Sequence, residues 1–206
     1  MTDVSTGTGD RRNRSRGQDA PRLRAGLRSA LAAVADMPAI VVSNQLDVVA
    51  TNALGRALLA PALGEGRSNL ARFVFLDENT STAFYPEWDR IADEHVDWLR
   101  ATAAQARRDR ALHRLIGELS TVSPPFRTRW SSERLRACYP PRVTVDHPLV
   151  GELDLIREDL MPVADPVLTL RVYTAEPGTA TAERLSILAS WIQDSALDDR
   201  ADTKPA

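Results

Sequence analysis

"PAIVVSNQLDVVATN", residues 38–52, marks a change of period in the chain. Before it, Leu23, Leu27, Leu31 and Val34 recur at the spacing of an amphipathic helix over residues 23–34. Within it, the β-branched runs 40–42 and 46–49 flank Ser43, Asn44 and Gln45, which is the pattern of a hairpin. Thr51 or Asn52 is placed to cap the helix that follows over residues 53–59, because a short polar side chain accepts from a free backbone N–H there.

The same alternation of periods continues to the end of the sequence. "LARFVFLD", residues 70–77, is apolar throughout, and its period does not separate helix from strand. Residues 86–120 read as helical, in two pieces meeting near "RRDR" at 107–110. Ser123 followed by Pro124 suits a helix start, since proline lacks an N–H that the first turn leaves unpaired anyway. Period two then returns in "RVTVDH", "GELDLIRE" and "DPVLTLRVYTA", three consecutive antiparallel strands. A last helix carries Leu185, Leu188, Trp191 and Ile192. Helix, two strands, several helices, three strands and a helix predict an α+β fold, a five-stranded antiparallel sheet covered by helices. It is also the element order of a PAS domain. The predicted domain spans residues 21–196, with disordered tails at 1–20 and 197–206.

Composition narrows the function. The chain has 206 residues, a net charge of −2 and a pI near 6.0, so as a whole it presents no field that attracts nucleic acid. Arg11, Arg12, Arg14 and Arg16 cluster in the N-terminal tail; they are able to touch a phosphate backbone, but an isolated basic tail is common and is the preferred reading. Cys138 is the single cysteine, which excludes an internal disulfide and suits a reducing compartment, where it reads as a small core residue. No apolar run approaches the roughly 20 residues of a membrane span, so the expectation is a cytoplasmic protein with no membrane partner. His95, His113 and His147 lack the spacing of a helical zinc pair, and no nucleophile elbow, phosphate loop or dinucleotide fingerprint occurs. Neither an enzyme nor a metal protein is expected.

The densest chemistry lies in "FYPEWDRIADEHVDWLR", residues 84–100. On a helix, Trp88, Ile91, Ala92, His95, Leu99 and Thr102 share one face, with Val96 and Trp98 at its margins. Asp89, Asp93 and Asp97 fall opposite, and Glu94 and Asp97 sit within reach of Arg90 and Arg100. The acids therefore read as a solvated face. His95 reads either as a core histidine satisfied by hydrogen bonding or as a polar anchor in an apolar pocket. An enzyme using His95 as base is the sharper rival, and it lacks a carboxylate on the same face to orient the ring.

In order along the chain, "LRAGLRSALAAVADMPAIVVSNQLDVVATN", "RSNLARFVFLDENTSTAFYPEWDRIADEHVDWLRA", "LHRLIGELSTVSPPFRTRW", "VDHPLVGELDL" and "LTLRVYTAEPGTATAERLSIL" resemble the ligand-binding domain of MmyB-like transcription regulators. These are bacterial, largely actinobacterial, regulators of the XRE helix-turn-helix type. The resemblance covers about residues 24–190. It implies a PAS-like fold, a pocket for a small apolar molecule such as a fatty acid, and no catalytic activity. No cofactor is expected, and a homodimer, formed through the first helix, is a candidate partner. It implies DNA binding only through a helix-turn-helix domain, which the residues before the first strand are too few to form. One departure is Thr51, where the family usually has a tryptophan before Asn52.

The expected ligand-binding residues are Val42, Val48, Phe73, Trp88, His95, Trp98, Leu99, Leu119, Phe126, Trp130, Leu155 and Val172. Arg127 or Arg129 is added as a two-pronged partner for a carboxylate. A ligand-free interaction module is the alternative to a sensor. The two differ in whether the core encloses a cavity of ligand size, on the order of 300 Å³ or more.

Overall fold

The computed structural model describes residues 23–64, 68–132 and 139–202. Its strands are β1 (Ala39–Ser43), β2 (Val48–Thr51), β3 (Arg142–His147), β4 (Gly151–Leu160) and β5 (Leu168–Thr174). They form one antiparallel sheet in the order β2-β1-β5-β4-β3. Between β2 and β3 run α2 (Ala53–Leu58), α3 (Leu70–Leu76), α4 (Glu78–Phe84), α5 (Trp88–Gln105), α6 (Arg110–Val122) and α7 (Pro124–Ser131). Helix α1 (Ala25–Ala33) precedes the sheet and α8 (Ala180–Asp202) follows it. This is the α+β, PAS-like arrangement that the order of periods predicts. Cys138 and the basic tail lie outside the described residues.

The alternation within β5 divides the molecule into two layers. Leu168, Leu170 and Val172 face one side, where they join Ala39, Val41 and Leu31 of α1 in a small apolar cluster. Arg171 and Tyr173 face the other side, where α2–α7 build the main core on Ile40, Val42, Val143, Val145, Leu153 and Leu155. Helix α8 packs beside α2 and the first half of β4, with Leu188 buried and Trp191 45% exposed. Its backbone continues through Asp202, past the expected boundary at residue 196.

Two asparagines fix the helix starts to the sheet. Asn52 caps α2 by accepting from Gly55 N at 2.7 Å, and it also accepts from Ala39 N. Its amide donates to the carbonyls of Val34 and Met37, so one side chain ties the exit of α1, the start of β1 and the start of α2 together. Thr51, the other candidate cap, belongs to β2, and its hydroxyl is buried without a partner. Asn69 caps α3 through Arg72 N and donates to Gln45 O and Asp47 Oδ1. That cap makes the apolar stretch 70–76 a helix.

The first hairpin is shorter than its apolar pattern suggests. Leu46 lies in the turn at φ 65°, with its side chain 1% exposed, and β2 begins two residues later. Ser43 Oγ holds this turn by accepting from Gln45 N and Asp47 N. A non-glycine residue in the left-handed region costs about 1–2 kcal/mol. Full burial of a leucine offsets this, at roughly 1.5–3 kcal/mol.

Candidate functional site

The main core contains a polar centre. Helix α5 buries Ile91, Ala92, Val96 and Leu99 in the main core, and Ile91 and His95, 5% exposed, meet Leu155, Arg157, Arg171 and Tyr173 on the inner face of β4 and β5. On that face, alternation brings Arg157 opposite Tyr173 and Asp159 opposite Arg171. Arg171 donates in two-pronged fashion to Asp159, Nε to Oδ1 at 2.7 Å and an Nη to Oδ2 at 2.8 Å. Arg157 pairs with Glu94 of α5 and lies 3.9 Å from Asp159. Trp98 covers Arg171 with its ring, 5.8 Å from guanidinium carbon to centroid, and donates its indole N–H to Asn44 O.

Burial and charge set the protonation states here. Burial, the largest influence on His95, lowers its pKa to about 4, against smaller raising effects of Glu94 and the Ile91 carbonyl. Burial also raises the hydroxyls of Tyr85 and Tyr173, so both remain protonated. For Asp159 burial pushes upward, but the charges of Arg171 and Arg157 and the bonds from Arg171 outweigh it and hold the carboxyl low. The centre thus carries two arginines, two carboxylates and a neutral imidazole.

These side chains and an apolar ring enclose a cavity of about 10 Å³. Leu58, Leu59, Ile91, Val143, Val145 and Leu155 form its apolar wall; Tyr85, His95, Arg157, Arg171 and Tyr173 form its polar wall. That volume suits about one water molecule and falls short of the ligand-sized space that separates a sensor from a filled module. A larger, open groove of about 520 Å³ runs between α8 and the segment from Ala35 to Pro38. Tyr173 lines both spaces.

Of the residues expected to bind ligand, His95 and Leu155 line the inner cavity. Val42, Phe73, Leu99, Leu119 and Phe126 are buried in the main core, with Val48, Trp88, Trp98 and Trp130 packed against it. Phe126 meets Phe75 edge-on at 5.0 Å and stacks on Trp130 at 5.6 Å, while Trp88 donates to Val74 O and Ser81 Oγ. These aromatics fill the space among α3, α5 and α7. Val172 lies on the opposite face of the sheet, under α1. Arg127 is at the surface, donating to Ser120 O. Arg129 bonds Asp93 and Asp89 and lies over Trp88. The arginines of the centre are instead Arg157 and Arg171, and the sequence marks them. Each is a charged residue at an inward position of an alternating strand.

The acids of α5 are not a solvated face. Asp97 is buried, accepting from the Tyr139 hydroxyl at 2.9 Å and from Arg100 at 3.0 Å, and Glu94 is consumed by the centre. Asp89 is the exposed one. The four-residue spacing placed these side chains away from α5's apolar stripe, but α7 and the sheet cover that side as well.

Among the described residues no group of His, Cys, Asp and Glu is arranged to hold a metal ion, and no helix is long and apolar enough to cross a membrane. Comparison with curated proteins returns no match. A family model for the MmyB-like transcription regulator ligand binding domain matches residues 23–188, which is most of the sequence, and the chain belongs to that family.

Proposed function

We propose that the chain is the effector-sensing part of a cytoplasmic transcription regulator. It takes up a small apolar molecule, such as a fatty acid, between its sheet and its helices. It transmits binding through α1 to a DNA-binding domain, as a homodimer. The observation that carries this reading is the buried polar centre around His95, closed on one side by six apolar side chains. An amphipathic ligand matches such a wall, with its chain against the leucines and valines and its head against the polar groups. The reading excludes catalysis. Nδ1 of His95 is spent on its own helix, bonding Ile91 O at 2.7 Å, where a general base would have a carboxylate to orient it.

A second reading, a ligand-free interaction module, is favoured by the cavity volume of about 10 Å³. A sensor with this core must open to admit a chain, so its ligand selects an expanded state over the closed one. Native and denaturing mass spectrometry of protein from its host separates the two readings. A lipid of discrete mass that is lost on denaturation supports the sensor. At a ligand concentration a hundred times Kd, binding adds about 2.7 kcal/mol. For a chain of this size that raises Tm by roughly 5–11 °C. A clean protein mass and an unchanged Tm across a panel of fatty acids support the interaction module.

A further inference from the structure

The His95 ring has an assignable tautomer. Nδ1 lies 2.7 Å from the Ile91 carbonyl, and a carbonyl only accepts, so Nδ1 carries the proton and donates it. Nε2 is then a bare acceptor. It is buried, it has no hydrogen-bond partner, and it is the ring nitrogen remote from the α5 backbone, on a ring that lines the inner cavity. Buried acceptors are ordinarily paired, and one left open inside a cavity wall calls for a donor.

The cations around the ring are already matched in charge, with Arg90 Nη1 3.9 Å from Glu94 Oε2 and neither atom hydrogen-bonded. Arg171 gives both prongs to Asp159, Arg157 pairs with Glu94, and Arg90, behind Glu94, pairs with Glu87. The positive charges of Arg90, Arg157 and Arg171 thus meet the negative charges of Glu87, Glu94 and Asp159. An entering carboxylate would add an uncompensated charge to an enclosed space and would set its lone pairs against Nε2. A hydroxyl brings no charge and supplies the bond that Nε2 lacks.

We propose that His95 is the head-group receptor of this site. Its ligand is an alkyl-chain molecule that presents an O–H donor to Nε2, as an alcohol or an undissociated acid and not as a carboxylate. This inference rests on the reading that an apolar effector occupies the space between sheet and helices. The other titratable groups facing the ring are Tyr85 from the α4–α5 junction, Glu94 on α5, Arg157 and Asp159 on β4, and Arg171 and Tyr173 on β5.

The test titrates the full chain and its His95→Phe variant with dodecanol, dodecanoic acid and methyl dodecanoate, using calorimetry and thermal shift between about pH 6 and 8, where the neutral ring does not titrate. Dodecanol should bind with a pH-independent Kd. Dodecanoic acid must take up a proton to bind, so its affinity should fall about tenfold per pH unit above its own pKa. The ester has no donor and should bind about tenfold more weakly than the alcohol, the worth of one net hydrogen bond. In His95→Phe the alcohol should lose its advantage over the ester. Acid binding that is flat with pH, or an ester that binds wild type as tightly as the alcohol, overturns the head-group assignment and leaves the sensor reading standing. These wild-type comparisons decide the question even where the variant does not fold. Failure of all three compounds to bind overturns the sensor reading and the assignment together.

Discussion

Replacing Asp159 by alanine is the most direct probe of the buried centre. The Arg171 side chain is 4% accessible and that of Asp159 is 24% accessible, so the change strands a guanidinium in the core with little water to replace its partner. Breaking a buried ion pair from one side costs about 3–5 kcal/mol. The partial exposure of Asp159 places this case at the lower end, near 3 kcal/mol, because water reaches the pair from that side. Arg157, 3.9 Å from Asp159, loses part of its own compensation and adds repulsion toward Arg171. A loss near 3 kcal/mol corresponds to a Tm drop of roughly 6–12 °C for a chain of this size. Urea unfolding followed by circular dichroism should show a lower midpoint at unchanged slope. The paired change Asp159→Leu with Arg171→Met should return most of the loss, since an apolar pair of similar volume is often as stable as the ions it replaces. The carboxyl is held below its ordinary 3.8, so its contribution is present above that pH and is lost as pH falls through the folded value. A single variant within about 1 kcal/mol of wild type would refute this account, because it would mean that Arg171 is solvated or paired elsewhere.

Two further outcomes test the packing and the titration. A β-carbon on Gly55 would stand 2.2 Å from the Ala39 carbonyl oxygen and 2.8 Å from two other Ala39 backbone atoms. Gly55→Ala must therefore push α2 off β1, and chemical denaturation should show a loss near 3 kcal/mol, the upper range for overpacking; a loss under about 0.5 kcal/mol contradicts the close approach. His95 titrates at about 4 in the folded chain against an ordinary 6.5, so protonation favours the unfolded chain. Its contribution is fully present above pH 6.5 and disappears as pH falls toward about 4, a span worth roughly 3 kcal/mol. The difference between the stability curves of wild type and His95→Phe isolates this from the carboxylates, and a flat difference across that window rules it out.

The sequence made the architecture legible because each element had a strong period or punctuation. Ser123 does cap α7, accepting from Phe126 N, and the break near residues 107–110 does separate α5 from α6. Helix α4 was not anticipated because "ENTSTAF" has no apolar stripe, and it is tied to its neighbours through its own Ser81, whose hydroxyl donates to Val74 O and accepts from the Trp88 indole. Leu46 read as strand because its burial, not its backbone, supplies the apolar signal. At the site, reading α5 alone found His95, since a helix face follows from spacing. The arginines were missed because their partners lie 63 residues apart, for Arg157 and Glu94, or across a strand pairing that spacing does not reveal.

The misplacement of Val172 shows how the proposed sensor could be wired, since it is the alternation within β5 that joins the two layers. Arg171 and Tyr173 face the cavity, while Leu170 and Val172, their immediate neighbours, face Leu31 and the rest of the α1 cluster. A strand of period two cannot shift or twist one set without moving the other. Burying a chain of twelve carbons against the cavity's apolar wall is worth on the order of 9 kcal/mol at 0.8 kcal/mol per methylene, before the cost of opening a core that now encloses about 10 Å³. Only the part of that energy that differs between the closed and the opened core is available to change the packing of α1. The matched charges around His95 belong to the same balance. Moving β4 and β5 together away from α5 separates Arg171 from Trp98 and strains the Arg157–Glu94 pair, so the polar centre holds the closed state in place. On the proposed reading, a ligand must offset that strain, and a neutral head group that pairs with Nε2 does so without adding an uncompensated charge to the enclosed centre.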